Sequence, residues 1–331
     1  MSSFNQKDVD NLFTNITDIY ADILNMDASY IYFSNKIETK DFIEFNSQER
    51  LMLDTLYKLI LESYSAQPNK KDINIVFHNH YFRCNIIGSI GGKLINCRHM
   101  PYEFIDLRSL GLSDSILREM MHPRLNKGGL VFICGAPGNG KSTTTAALIK
   151  ARLQQYAGVC ITVEDPVEIP LQGKHGNGRC IQVPVETNFN DAIRSSLRAY
   201  PTGQTNILFI GEVRDSETAC NVIRAAIDGR LVITTFHTDD INNAFERLIS
   251  LSIKELGEDE AYNLVAEIFR FGIHQRLVKL NGKISIRANV LVDTQEVFSN
   301  IKSKRIAHIQ NEKERQFTTI KAGNKIDYRI K

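Results

Sequence analysis

Paired cysteines are missing from this chain. Cys84, Cys97, Cys134, Cys160, Cys180 and Cys220 are scattered without any C-x-x-C spacing, which argues against a zinc site or a disulfide framework and fits reduced, buried thiols. An excess of one charge is missing too: 40 Lys and Arg against 38 Asp and Glu leave +2, so no global field demands nucleic acid or an anionic membrane. No apolar run reaches the ~18–20 residues of a membrane span, and no charged-then-apolar leader opens the sequence, so a cytoplasmic protein is expected. Repeats and low-complexity tracts are absent. No aromatic-basic interleaving of the kind that stacks on single strands occurs, so no direct nucleic-acid partner is expected.

What is present is enough chain for two cores: 331 residues with 43% hydrophobic content predict two domains. Residues 1–100 read as a small α+β domain. Helical spacing of Leu12, Phe13, Ile16, Ile19, Tyr20, Ile23 and Leu24 predicts a helix over 11–24, followed by β-rich residues 30–33. A second amphipathic helix is predicted over 50–64. A turn over 66–71 then leads to strands at 73–77 and 81–90, with Gly91-Gly92 returning the chain through 93–98 as a hairpin. Pro101 ends this region, and residues 101–126 read as a linker carrying one helix, 113–121, with Ser113 as its N-cap. From residue 127 to 331, β-branched runs at 130–134, 159–163, 207–210 and 231–235 alternate with helical segments, the pattern of a mainly parallel sheet wrapped by helices.

The chemistry concentrates in that second region. Gly135-Ala136-Pro137-Gly138-Asn139-Gly140-Lys141-Ser142 lies between an apolar run and a helix-forming stretch that opens at Thr143. Glycines let the backbone N–H groups approach a polyphosphate, Lys141 reaches its β and γ phosphates, and the Ser142 hydroxyl suits Mg²⁺. The pattern alone can arise by chance, but a strand feeding a helix is the setting its mechanism requires.

Three further strand ends carry polar groups. Thr162-Val163-Glu164-Asp165-Pro166-Val167-Glu168 sets carboxylates at the carboxyl end of a parallel strand, where such sheets place ligands and where a carboxylate can deprotonate a water. An isolated cluster of this kind would be a solvated acidic turn. Glu212, in Gly211-Glu212-Val213-Arg214-Asp215, follows four apolar residues and is placed to support Mg²⁺ or the water. His237, in His237-Thr238-Asp239, is either a satisfied structural histidine or a sensor of the γ-phosphate. Phosphoryl transfer also needs positive charge, and Arg194, Arg198, Arg83 and Arg98 are candidates, each equally readable as a surface charge.

In this order, G-A-P-G-N-G-K-S, I-T-V-E-D-P-V-E, I-G-E-V-R-D-S-E-T-A and T-T-F-H-T resemble the Walker A, Asp-box, Walker B and His-box motifs of the secretion ATPase superfamily. Its members are the motors of type II secretion, type IV pili and type IV secretion. The likeness spans about residues 73–292, including Tyr81-Phe82-Arg83-Cys84-Asn85 and Gln275-Arg276-Leu277. It implies a PAS-like amino-terminal domain, a RecA-like ATPase domain with a helical carboxyl-terminal part, ATP with Mg²⁺, and a homohexameric ring. It also implies work on an inner-membrane platform protein, to which the motor is peripherally bound. By resemblance Lys141 and Ser142 bind phosphate and Mg²⁺, Glu164 is the general base, Glu212 supports Mg²⁺ and water, and His237 contacts the γ-phosphate. The arginines become charge donors across a closing cleft.

Departures shape the expectation further. Arg230 stands where many members have the first His-box histidine, and residues 200–205 replace the usual acidic-Pro-Asp stretch. The four-cysteine module and the additional amino-terminal domain of assembly ATPases are missing, which favours the pilus-retraction (PilT-type) branch or a compact type IV secretion ATPase. Residues 297–304 match the retraction signature A-I-R-N-L-I-R-E only degenerately. A RecA-like nucleic-acid translocase is the more distant alternative.

Overall fold

A computed structural model describes residues 4–13, 16–22, 30–32, 46–66, 72–90, 92–100, 106–185, 188–201, 206–280, 283–324 and 326–330. Residues 14–15, Ile23 and Leu24 of the helix expected over 11–24, Phe33, the turn residues 67–71, Gly91, residues 101–105 of the linker and residues 202–205 lie outside the described residues. The chain divides into two units, Met1–Glu103 and Phe104–Lys331.

In the first unit, helices α1 (Gln6–Phe13) and α2 (Ser47–Ala66) accompany strands β1 (Asp18–Asp22), β2 (Tyr30–Tyr32), β3 (Asp72–Phe77), β4 (His80–Ser89) and β5 (Gly92–Met100). The strands form one antiparallel sheet in the order β2-β1-β5-β4-β3, an α+β layout of the PAS-like kind. Its core joins Val9, Leu12 and Phe13 of α1 to Met52, Leu56 and Ile60 of α2 and to Ile75, Phe82, Cys84, Ile95 and Cys97 of the sheet.

The single helix expected over 11–24 is instead the end of α1 followed by β1. Ile19 and Ala21 are buried at alternate positions, and β1 pairs with β5 through Ile19 opposite Cys97. The apolar spacing is helical only when read across this break, and the ladder to β5 decides for a strand. A line of polar contacts crosses the same core: His80 Nε2 lies 2.9 Å from Asp10 Oδ1, His80 Nδ1 2.9 Å from His99 Nε2, and His99 Nδ1 3.0 Å from the Ile16 carbonyl.

The second unit opens with a 3₁₀ turn, Leu107–Leu110, and α3 (Asp114–Met120), whose N-cap Ser113 accepts from the Ile116 N–H at 3.4 Å. Leu107, Leu110, Ile116, Met120 and Leu125 are all core residues here, so most of the stretch read as a linker packs as part of this unit. There follow β6 (Gly129–Cys134), α4 (Lys141–Tyr156), β7 (Gly158–Glu164), β8 (Gly173–His175), β9 (Gly178–Pro184), α5 (Phe189–Leu197), β10 (Asn206–Glu212), α6 (Ser216–Ile227) and β11 (Leu231–Phe236). The chain ends with α7 (Ile241–Leu256), α8 (Glu258–Ile268), β12 (Phe269–Leu280), β13 (Lys283–Val292), α9 (Gln295–Lys302) and α10 (Ile309–Lys321). The carboxyl-terminal part is therefore not only helical: β12 and β13 extend the sheet.

The order β13-β12-β6-β11-β10-β7-β9-β8 is parallel from β12 to β9, with an antiparallel strand at each edge. Both faces are covered, and strand residues alternate between them. Leu130, Phe132, Leu208, Ile210 and Val232 face the side of α6, α7 and α8, while Val131, Ile133, Ile207, Phe209 and Ile233 face α3, α4 and α10. Continuous burial explains why these strands read as unbroken apolar runs. A mainly parallel sheet sandwiched by helices is the RecA-like architecture the motifs imply.

Candidate nucleotide site at the sheet edge

The carboxyl ends of four neighbouring parallel strands, β6, β11, β10 and β7, deliver the loop 135–140, His237, Glu212 and Glu164 to one edge of the sheet. This is where parallel α/β sheets open to ligands. The loop is shaped by close approach: a Cβ on Gly135 would lie 2.4 Å from the Gln275 carbonyl oxygen, and Gly135, Gly138 and Gly140 all have positive φ. At Gly138 a Cβ would meet nothing within 4 Å, so there the positive φ, not close packing, calls for glycine.

Lys141 starts α4 and is 6% exposed. Its Nζ donates to the carbonyls of Gly135 at 2.9 Å and Ala136 at 3.1 Å, and lies 3.2 Å from His237 Nδ1. Burial lowers its pKa, countered in part by Glu168. The Ser142 hydroxyl donates to Glu168, so the loop after β7 folds back onto the start of α4. Thr143 sits half-buried in the first turn of α4.

His237 joins Lys141 to Glu212. Its Nε2 is 3.2 Å from Glu212 Oε2, while Arg214 pairs with the other Glu212 oxygen. An ammonium can only donate, so Nδ1 accepts from Lys141 and the ring proton sits on Nε2, facing the carboxylate. Burial first, and then the Lys141 charge, lower the histidine pKa, in keeping with a neutral ring. Asp215 caps α6 by accepting from the Thr218 N–H at 2.7 Å, which fixes the turn after Glu212.

Glu164 is 6% exposed. Its pKa is raised to about 7, chiefly by burial, with hydrogen bonds including that from Gln182 lowering it and Glu168 raising it. A carboxyl tuned to neutrality at a sheet edge can exchange a proton near physiological pH.

Three of the four arginines proposed from sequence have carboxylate partners of their own. Arg194 on α5 binds Glu217 and approaches Asp191 at 3.6 Å, and Arg198 is the exposed C-cap of the same helix. In the first unit Arg83 lies 3.5 Å from Asp72 and Arg98 3.0 Å from Asp18. Arg230, at the position of the family's first His-box histidine, ties the end of α6 to α5 by binding Asp228 at 3.2 Å and the Leu197 carbonyl at 3.3 Å.

Three site residues escaped the motif reading. Gln275 on β12 is fully buried and donates from Nε2 to the Asn139 carbonyl at 2.7 Å, and the Leu277 N–H donates to Asn139 Oδ1 at 3.0 Å. Gln182 on β9 donates to Glu164 at 3.0 Å. Gln275-Arg276-Leu277 was visible as a family segment, but neither its contact with the loop nor Gln182 leaves a local spacing signal.

The donor set fits Mg²⁺ with nucleotide phosphates: a hydroxyl at Ser142 and a carboxylate at Glu212 are hard oxygen ligands. Among the described residues no cluster of three or more His, Cys, Asp or Glu could hold a metal by itself. Such a paucity of protein ligands is usual where phosphates and waters complete the shell.

A family model described as Type II/IV secretion system protein matches residues 5–320. The chain belongs to that family. Among curated members, the type IV pilus retraction ATPase PilT of Pseudomonas aeruginosa is 28% identical over 230 residues, covering 69% of this chain and 64% of PilT. The type IV pilus assembly ATPase TfpB of Acinetobacter baylyi is 32% identical over 145 residues, covering 44% of this chain and 24% of TfpB. The chain thus spans less than two thirds of the length of these relatives. Among solved structures, the pilus retraction motor PilT with bound ADP superposes with a TM-score of 0.74 at 24% identity, covering 94% of this chain and 89% of that one. The Legionella pneumophila ATPase DotB gives 0.66 at 22% identity, covering 98% of each chain. Both likenesses concern the fold, an amino-terminal domain followed by a RecA-like ATPase domain.

Proposed function

We propose that this protein is an ATP hydrolase whose turnover drives domain motion in a homohexameric ring, powering type IV pilus dynamics, with retraction favoured over assembly, or secretion. The observation that carries the reading is the convergence of four neighbouring strand ends on one edge, with the Ser142–Glu168 contact joining the first to the last.

In this reading the loop 135–140 and Lys141 hold the β and γ phosphates, and Lys141 exchanges its bonds to the Gly135 and Ala136 carbonyls for phosphate oxygens. Ser142 and Glu212 hold Mg²⁺, which supplies charge neutralisation to the phosphates when bound. Glu164 takes the proton of the attacking water, and its pKa of about 7 suits a base working near neutrality. His237, bonded to both Lys141 and Glu212, registers the γ-phosphate. Arg83, Arg98, Arg194 and Arg198 supply positive charge, in part from a second copy of the chain, the first three by exchanging their present carboxylate partners.

No helix among the described residues is long and apolar enough to cross a membrane; in the proposed reading the motor attaches peripherally to an inner-membrane platform protein from the cytoplasmic side. A compact type IV secretion ATPase is the second reading, in keeping with a family that covers type II and type IV secretion systems. The decisive test is Glu164→Gln: it should retain ATP binding while turnover falls by about 10²–10⁴-fold, the usual contribution of a general base. Undiminished phosphate release would remove Glu164 from the mechanism. A null strain with excess pili would indicate retraction, and one without pili assembly.

A further inference from the structure

We propose that Gln182 is a positioning residue that holds the Glu164 carboxylate, and the loop behind it, in the geometry required for activating water. The assignment rests on Glu164 being the general base.

Gln182 lies on β9 opposite Thr162 of β7, two positions before Glu164. Its amide makes four contacts. Nε2 donates to Glu164 Oε1 at 3.0 Å and to the Ile169 carbonyl at 2.9 Å, while Oε1 accepts from the backbone N–H groups of Leu171 and Gln172. The Gln182 backbone N–H in turn donates to Gln172 Oε1 at 2.7 Å.

This set admits only one orientation of the amide. Turning it over would set an oxygen against a carboxylate and a carbonyl, and an NH₂ against two N–H donors. The donor facing Glu164 is therefore fixed by the loop it also anchors. That loop carries Glu168, the partner of Ser142, so one side chain ties the base to the segment that reaches the first turn of α4.

An amide is also the appropriate donor chemically. Burial raises the Glu164 pKa, and the Thr162 side chain, Gln182 and the Glu168 backbone N–H all lower it, while the Glu168 charge raises it; a pairing with Arg or Lys in place of the amide would make the carboxylate too weak a base. A neutral N–H favours the carboxylate without a full charge. It offsets part of the burial effect and leaves the group basic enough to take a proton.

The test is steady-state ATP hydrolysis by the full chain across pH, comparing wild type, Gln182→Leu, Gln182→Glu and Glu164→Gln. Gln182→Leu removes the donor at similar volume, and Gln182→Glu keeps the shape but sets an acid beside Glu164. We expect Gln182→Leu to lower kcat about tenfold or more, with KM for ATP changed less than about twofold, and to move the acid limb of the kcat profile up by about one pH unit. Gln182→Glu should move it further. A purely structural role would lower activity without moving the limb. If Gln182→Leu fails to fold, the near-isosteric Gln182→Glu still reads the limb. An unmoved limb in a folded variant, with Glu164→Gln inactive, overturns this inference alone, whereas a fully active Glu164→Gln overturns the general-base reading beneath it.

Discussion

Each unit of this protein threads hydrogen bonds through histidine rings, and the two threads make opposite demands. At the sheet edge, His237 stands between Lys141, which only donates, and Glu212, which accepts; one ring proton satisfies both contacts, and the ring is neutral. In the first unit, His80 and His99 stand between the Asp10 carboxylate and the Ile16 carbonyl, which both accept. Three contacts there need three protons, and two neutral rings hold only two. A full set of bonds would place one proton on His80 Nε2 facing Asp10, one on His99 Nδ1 facing the Ile16 carbonyl and the third between the rings, on either of the two facing nitrogens. The groups at the ends of a chain, not the imidazole, set its protonation. On the proposed reading the edge chain would surrender both its ends, Lys141 to phosphate and Glu212 to metal, whereas the first-unit chain ends on groups given no such role.

Breaking the edge chain at its cationic end should have the largest effect. Lys141→Ala removes the donor to His237 and the phosphate contact together, and phosphate release should fall by about 10²–10³-fold, measured with saturating Mg²⁺-ATP. Nitrogen-15 spectra sharpen the contrast: His237 should lose its Nε2–H preference in this variant, while the signals of His80 and His99 stay as in wild type.

Glu164 shows that the edge holds charge against its own stability. Its raised pKa means that its favourable contribution is complete below about 4.5, where both folded and unfolded chains are protonated, and is lost as pH rises toward about 7. Glu164→Gln mimics the protonated form, so urea unfolding at about pH 8 should find the variant more stable by roughly 3 kcal/mol, at about 1.4 kcal/mol per pKa unit. The gain should vanish below about pH 4.5. A variant without this gain would place Glu164 in a wetter setting than its burial implies.

In the first unit, His80→Ala deletes the middle of the closed chain and strands the His99 ring. It should destabilise the protein by about 1–3 kcal/mol, read as a lower urea midpoint, with ATP turnover at the other unit's edge nearly unchanged per folded molecule. The smallest effect concerns pH. Burial first, then the charge of His80, depress the His99 pKa, with the Ile16 carbonyl opposing. An unfolded chain therefore takes up this proton first: stability is intact above about 6.5 and declines as pH falls toward the folded pKa. His99→Phe keeps a ring beside Phe82, 5.1 Å away in the native protein, and should flatten that part of the stability profile. An unchanged slope would assign it to other groups.

Much of the edge could be read from sequence because its parts are contiguous. The loop 135–142 is eight consecutive residues, and Glu164, Glu212 and His237 each close an apolar run, so strand ends and chemistry arrive together. The relations among them could not be read, since nothing local says that Lys141 meets His237, that Glu168 returns to Ser142, or that Gln182 and Gln275, 18 and 136 positions from Glu164 and Asn139, make the supporting bonds. The same limit explains β1. Ile16, Ile19 and Tyr20 keep helical spacing with Leu12 and Phe13, and only pairing with β5, some 78 residues away at the Ile19–Cys97 pair, decides between helix and strand. β12 and β13 are a different case: Phe269, Phe271 and Ile273 in one and Ile284, Ile286, Ala288 and Val290 in the other alternate as strands do, so the strands were locally legible and only their pairing with β6 and with one another was not.

The anchoring of the loop at Asn139 and Gly135 bears on how tightly a ligand can be held. A stretch with three glycines in six residues has wide freedom in an unfolded chain, and ordering such a segment costs about 1–2 kcal/mol per residue. Gln275 and Leu277 impose that order during folding, through bonds that do not involve the concave side. The Gly135 and Asn139 N–H groups are bonded as well, to the Phe236 and Ala136 carbonyls, so on the proposed reading a polyphosphate would meet a loop already ordered, and its contacts would be expressed as affinity and not consumed in organising the receptor.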